Sequence, residues 1–270
     1  AQLCDEACRL NFELVNLEKQ ENDEDLPWLV GHEPAAFANI CTFIDRNNFC
    51  SLPPKLAVGG QTCKERKQLV EQFNQLSLFV SNTILEEKEK IKNCVKLVEF
   101  FIEVADVLRD QGNFHSLLAV MSGVNHSTIR RMEEVWEIVD RSVGGVKNGL
   151  DTLCKMGDGS YPNLSNATQE RMREKKVCIP YLGMYNTRII RTAELPRKKG
   201  HGGSQLNNKH FETLGAVMGE LTKLQAVCME KNNRRVGGDP ELVMLLTNLV
   251  SLSQEPIPDH PSSSSSSSSS

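Results

Sequence analysis

Residues 91–108 leave this chain few folds to choose from. Ile91, Val95, Val98, Ile102, Ala105 and Leu108 recur at steps of three and four, one stripe of an α-helix. Leu97, Phe100, Phe101, Val104 and Val107 widen the stripe until most of the circumference is apolar. Such a helix is stable in water only when other helices cover it, so it predicts the centre of a bundle. Its neighbours are legible too. Phe73, Leu76, Val80 and Ile84 form a second stripe. Asn113 or Ser116 can start a helix through Leu117, Leu118, Val120 and Met121, and Ser127 can cap another with Ile129, Met132, Val135 and Val139 inward. Asp239-Pro240 supplies a capping carboxylate and a first-turn proline for a last helix. No alternating run lies between hairpin turns, and no repeat period shows. The expected class is all-α.

Glycines at Val58-Gly59-Gly60, Val143-Gly144-Gly145 and Gly200-His201-Gly202-Gly203 predict connections, as does the acidic run from Glu21 to Asp25. Pro256, Pro258 and Pro261 precede nine serines, Ser262 to Ser270. A polar homopolymer buries too little apolar area to offset its chain entropy, so 256–270 is expected to be a disordered tail. The domain is expected to end near Glu255. A chain of 270 residues can bury the core of one large domain.

Several function classes are disfavoured. The longest strongly apolar stretch, Leu242 to Leu252, is too short for a bilayer. Ala1 to Asp5 carry no basic region followed by an apolar run, so no signal peptide is expected and the chain reads as cytoplasmic. The nine cysteines are odd in number and contain no CxxC pair, which reads as reduced thiols. The six histidines form no metal motif, and neither HExxH nor GxSxG occurs. Neither metal nor cofactor is therefore expected, and a protein that works by binding is favoured. His115 and His126 read as packed or surface side chains. The net charge of −4 argues against a general nucleic-acid binder. Between Arg171 and Lys199, however, nine basic residues face only Glu174 and Glu194. This asymmetry predicts a surface for an acidic partner or an anionic membrane, or else a solvated basic loop.

Two stretches sharpen the reading. One runs from Asn113 through Phe114, Ser116, Leu117, Gly123, Asn125, Ser127 and Ile129 to Met132, with Trp136 beyond. The other is Cys178-Ile179-Pro180-Tyr181-Leu182-Gly183-Met184-Tyr185, followed by Asn186 and Thr187. Both resemble the signature stretches of the catalytic domain of Ras guanine-nucleotide exchange factors, in that family's order and spacing. Phe73 to Val80, Asn208 to Gln225 and Ser251 to Pro256 resemble further family segments, and Arg9 to Val15 loosely resembles the opening one. The resemblance covers residues 73–256 well and 1–60 weakly.

The resemblance implies a single helical bundle domain over 1–255 with a protruding helical hairpin, Tyr181 to about Ala193, returning through Asn208 to Gln225. It implies GDP release from a Ras-family small GTPase of Ras, Rap or Ral type, by insertion of the hairpin into the nucleotide site and without covalent chemistry. Ile190 would enter the magnesium region. Glu194 would compete for a metal-binding hydroxyl and the phosphate-loop lysine. Leu118, Ser122, Asn125 and Tyr181 would grip the second switch segment, with Thr187 nearby and Arg188 and Arg191 making the hairpin basic. Peripheral contact with an anionic membrane would fit the same charge. Three departures from the family pattern stand out: Ala193-Glu194-Leu195-Pro196 replaces an acidic run followed by Asn, Asn186 and Arg188 replace an apolar residue and an acid or Asn, and Gly144, Gly145 and Gly149 weaken a helical region. Each such glycine costs about 1 kcal/mol relative to alanine. The alternative is a member of the fold that has lost exchange and serves as a scaffold or GTPase-binding module.

Overall fold

The computed structural model describes residues 26–53, 64–157, 160–193, 198–199, 205–206, 208–231 and 240–251. The acidic run, the Val58-Gly59-Gly60 and Gly200 to Gly203 connections, Arg9 to Val15, Asp239 and the serine tail lie outside them. Among the described residues the regular elements are helices apart from one pair of two-residue strands. A 3-10 turn, Trp28–Gly31, leads into α1 (Pro34–Ser51). Then come α2 (Lys64–Glu86), α3 (Ile91–Gln111), α4 (Phe114–Val124), α5 (Glu133–Ser142), α6 (Gly144–Leu153) and α7 (Pro162–Arg173). The chain continues through α8 (Leu182–Ala193), β1 (Lys198–Lys199), β2 (Gln205–Leu206), α9 (Asn208–Glu230) and α10 (Pro240–Ser251). Prolines at the head of α1, α7 and α10 occupy positions whose missing N–H has no intrahelical partner to lose.

The apolar helix takes the central place. α3 packs against α1, α2, α4, α5 and α6. Cys94, Leu97, Val98, Phe101, Ile102, Val104, Ala105 and Leu108 are fully buried, whereas Ile91, placed in the same stripe, is exposed at the helix start. Phe37 of α1 meets the edges of Phe100 and Phe101, each at 6.0 Å between centroids. Gly123 sits where α4 crosses α2. A Cβ there would lie 2.6 Å from the Ser77 carbonyl oxygen and from Val80 Cβ, so only glycine allows the two backbones to approach this closely.

Two boundaries differ from expectation. Ser127 caps nothing: Ile129–Arg131 is a 3-10 turn that starts after Thr128, and α5 begins only at Glu133. The break falls at Met132, whose ψ of 75° is not helical, and Ile129, Val135 and Val139 still point inward. Val143-Gly144-Gly145 is tighter than a loop, since α6 starts at Gly144 directly behind α5. Asn113 does cap α4, its side-chain oxygen accepting from the Ser116 N–H at 3.1 Å.

A buried polar hub ties the body together. Asp45, on α1, is wholly inaccessible. Its carboxylate accepts from Gln72 Nε2 of α2 (2.5 Å), Asn113 Nδ2 (2.7 Å) and the Ser116 hydroxyl of α4 (2.5 Å). Asn113 Nδ2 also donates to Thr42, and Thr42 to Gln111 at the end of α3. A buried carboxylate is tolerable only when donors surround it, so one side chain fixes where α1, α2 and α4 meet.

Candidate functional site

The two signature stretches, distant in sequence, meet in space. The Phe114 N–H donates to the Ile179 carbonyl and the Ile179 N–H to the Gly112 carbonyl, both at 2.9 Å. This short parallel bridge stitches the entry to α8 onto the start of α4. Tyr181 therefore lies beside α4. Its ring centroid is 6.3 Å from that of His115, 5.3 Å from Phe73 and 5.4 Å from Tyr161. Burial, with Tyr161 next to it, holds the Tyr181 phenol above its ordinary range. A Cβ on Gly183 would come within 2.3 Å of the Tyr181 ring, so the tyrosine can fold back over the first turn of α8 only because residue 183 is glycine.

Along α4 the positions 115, 118, 122 and 125 share one face. His115 is buried, and its Nε2 donates to the Leu69 carbonyl at 3.0 Å; His126 is exposed. Leu118, one turn on from His115, is 5% exposed. Ser122 is exposed and donates back to the Leu118 carbonyl. Asn125 Nδ2 donates to Asp151 Oδ1 at 3.0 Å. Asp151 pairs with Lys147 at 2.7 Å, and the Lys147 ammonium lies 4.7 Å from the centroid of Trp136. Trp136 Nε1 in turn donates to the Ile129 carbonyl at 2.9 Å. Asn125 is thus oriented through α6 and α5, and it borders an open depression of about 430 Å³ lined also by Arg130, Glu133, Glu137 and Asp140.

The hairpin arms α8 and α9 pack on each other, and α9 packs on α1. Burial divides α9. From Asn208 to Ala216 no described side chain is buried, and Phe211 is 48% exposed; from Val217 onward Val217, Leu221, Leu224, Gln225 and Cys228 are buried. The buried half is bolted down. Gln225 Nε2 donates to the Phe49 and Leu52 carbonyls at 2.7 and 2.6 Å, and Cys228 Sγ to the Cys178 carbonyl at 3.4 Å. β1 and β2 pair antiparallel between the arms, Lys198 opposite Leu206.

The expected hairpin residues fall as follows. Thr187 is half-buried in α8 and donates to the Gly183 carbonyl. Arg188, expected as a source of partner-facing charge, is engaged within the protein: its guanidinium grips Glu220 of α9 through two bonds, 2.7 and 3.1 Å. Ile190 and Arg191 belong to the last turns of α8. Glu194 lies outside the described residues. Sequence reasoning missed Phe73, His115 and Tyr161 as the nest around Tyr181, and it missed Asp151, Lys147 and Glu220. Only the aromatic character of Phe73 and Tyr161 could have hinted at any of these. Among the described residues no group of side chains could hold a metal, and no helix is long and apolar enough to cross a membrane.

Residues 36–234 match the RasGEF domain family. Ras guanine nucleotide exchange factor E of Dictyostelium discoideum is 31% identical over 165 residues, 58% of this chain and 16% of that protein. Ras-specific guanine nucleotide-releasing factor 1 of Mus musculus is 29% identical over 170 residues, 59% of this chain and 13% of that protein. Ras-specific guanine nucleotide-releasing factor RalGPS1 of Danio rerio is 30% identical over 162 residues, 56% of this chain and 27% of that protein. The chain thus spans a quarter or less, or little more, of the relatives it matches.

Proposed function

The chain belongs to the RasGEF domain family, and from that premise we propose that it promotes GDP release from a Ras-family small GTPase of Ras, Rap or Ral type, by binding and without covalent chemistry. The observation that carries this reading is the stitch between Phe114 and Ile179. It draws both signature stretches into one surface, with Tyr181 beside α4 and the hairpin rising from its edge. Leu118, Ser122, Asn125, Tyr181 and Thr187 form the proposed grip on the GTPase. Ile190 and Glu194 form the proposed wedge, Ile190 toward the magnesium region and Glu194 toward the phosphate loop, with Arg191 adding positive charge. Weakening the metal and bringing a carboxylate near both act electrostatically against bound phosphate. Release then follows from linkage: a partner that prefers the empty GTPase must lower its affinity for nucleotide by the same factor. We place the domain at 1–255, followed by a Pro/Ser tail, and its work in the cytoplasm, with recruitment to anionic membrane where lipidated GTPases sit.

A fluorescent-nucleotide release assay over a panel of Ras, Rap and Ral proteins tests this. Faster release from at least one of them is expected. No response, with retained binding to a nucleotide-free GTPase, would replace the proposal by the scaffold reading, which the altered stretch Ala193-Glu194-Leu195-Pro196 motivates.

A further inference from the structure

Building on the exchange-factor reading, we propose that Arg188 and Glu220 are positioning residues: their paired bonds set the angle between the two hairpin arms and hence where the end of α8 arrives. A fork-to-fork contact is directional. Nη1 to Oε2 at 2.7 Å and Nη2 to Oε1 at 3.1 Å fix separation and relative rotation together, which a single-point contact cannot do. The pair is not a loose surface contact, since the Glu220 side chain is only 19% exposed and the Arg188 side chain 39%. Tyr185, one turn before Arg188, backs it: its buried ring lies 5.7 Å from the guanidinium, at a small cleft where α7 contributes Ser165, Thr168 and Gln169. Burial and then the Glu220 carboxylate hold the Tyr185 phenol neutral well above its ordinary range, and the bonds to Glu220 keep Arg188 charged.

The level of this brace matters more than its strength. Glu220 lies one turn inside Val217, where α9 passes from the packed body to its exposed half. From Arg188 to the end of α8 at Ala193 is five residues, an arm of ~7.5 Å at about 1.5 Å per residue. Turning such an arm by ~8° moves its end by roughly 1 Å. Misplacement of about 1 Å can cost on the order of a hundredfold in rate when reacting groups must be held in place. An arginine so engaged has its charge offset by Glu220, so Arg188 contributes geometry where the sequence pattern had indicated basic charge.

The test compares Glu220→Gln, Arg188→Gln and the exchanged pair Arg188→Glu/Glu220→Arg in the full chain. Each single variant should lower the saturating nucleotide-release rate about tenfold, while affinity for the nucleotide-free GTPase and the unfolding temperature change little. The exchanged pair should recover most of the saturating rate. A merely structural role would lower the unfolding temperature and the affinity instead, with no selective loss of the saturating rate. Single variants that release at the parent rate would overturn the proposal. So would an exchanged pair that folds and binds like the parent yet releases as slowly as the singles. If the parent itself stimulates no GTPase, the exchange reading fails separately. The brace is then judged by amide hydrogen exchange in α8, which Glu220→Gln should accelerate and the exchanged pair restore; unchanged protection would end it.

Discussion

The body and the hairpin are both helical, yet they are held in different ways. In the body, α3 is enclosed by five helices, and the Asp45 hub adds bonds from three donors to the apolar packing. Apolar packing and the buried hub thus hold the same helices by two kinds of contact. Among its described residues the hairpin is tied by Gln225 and Cys228 at its base, the Ile179 bridge at its root and the Arg188–Glu220 fork between its arms. A body designed this way resists motion. A hairpin held by a few directional bonds can be stiff in one direction and still be carried as a unit. That division suits the proposed entry of the hairpin into a GTPase.

Body and hairpin should differ most at Asp45. Asp45→Ala removes the acceptor for three buried donors, and each buried donor left unsatisfied costs about 1–3 kcal/mol. Urea unfolding should register that loss as a lower midpoint with protection falling throughout α1, α2 and α4. A change below ~1 kcal/mol would mean that packing alone holds the body. Tyr181, at the seam between the regions, should act on binding. Tyr181→Ala should weaken the complex with nucleotide-free GTPase by about 2 kcal/mol, the scale of an aromatic hot spot. An isothermal titration showing parent affinity would remove Tyr181 from the proposed grip. Gln225→Ala should be milder, about 1–2 kcal/mol, because it removes two hydrogen bonds between neutral groups and no buried carboxylate. Hydrogen exchange should rise in the second half of α9 and stay unchanged in α3. If α3 loosens equally, hairpin and body are one cooperative unit.

How much of this could be read beforehand follows the range of each interaction. The centrality of α3 was legible because apolar periodicity is written in consecutive residues, and the Asn113 cap because its acceptor and donor are three residues apart. The two signature stretches were legible as a resemblance. The hub was not: Asp45 reads as an ordinary surface acid beside Arg46, and its donors stand 27 to 71 positions away. The Arg188–Glu220 fork spans 32 positions, and nothing local marks either member as paired. Ser127 looked like a cap because its residue type fits, but the non-helical turn at Met132 postpones the helix to Glu133. Local chemistry found the elements. It could not find the bonds between elements, which are the ones that position the hairpin.

The smallest effect separates steering from geometry. Arg188 is paired, so long-range attraction is assigned to other bases of the +7 segment 171–199, of which Arg197, Lys198 and Lys199 are consecutive in sequence. Charges that act at a distance raise the association rate more than they slow dissociation, and salt screens them beyond about 8 Å at physiological ionic strength. Replacing these three residues by alanine should leave the unfolding midpoint within ~0.5 kcal/mol of the parent. Stopped-flow association with the responsive GTPase should slow several-fold at low salt and converge on the parent rate as salt rises, with dissociation almost unchanged. Glu220→Gln should show the opposite pattern, normal docking with a reduced saturating release rate at every salt concentration. A triple variant that associates at the parent rate in low salt, with and without acidic vesicles, would make the segment a solvated loop and leave the hairpin's contribution entirely geometric.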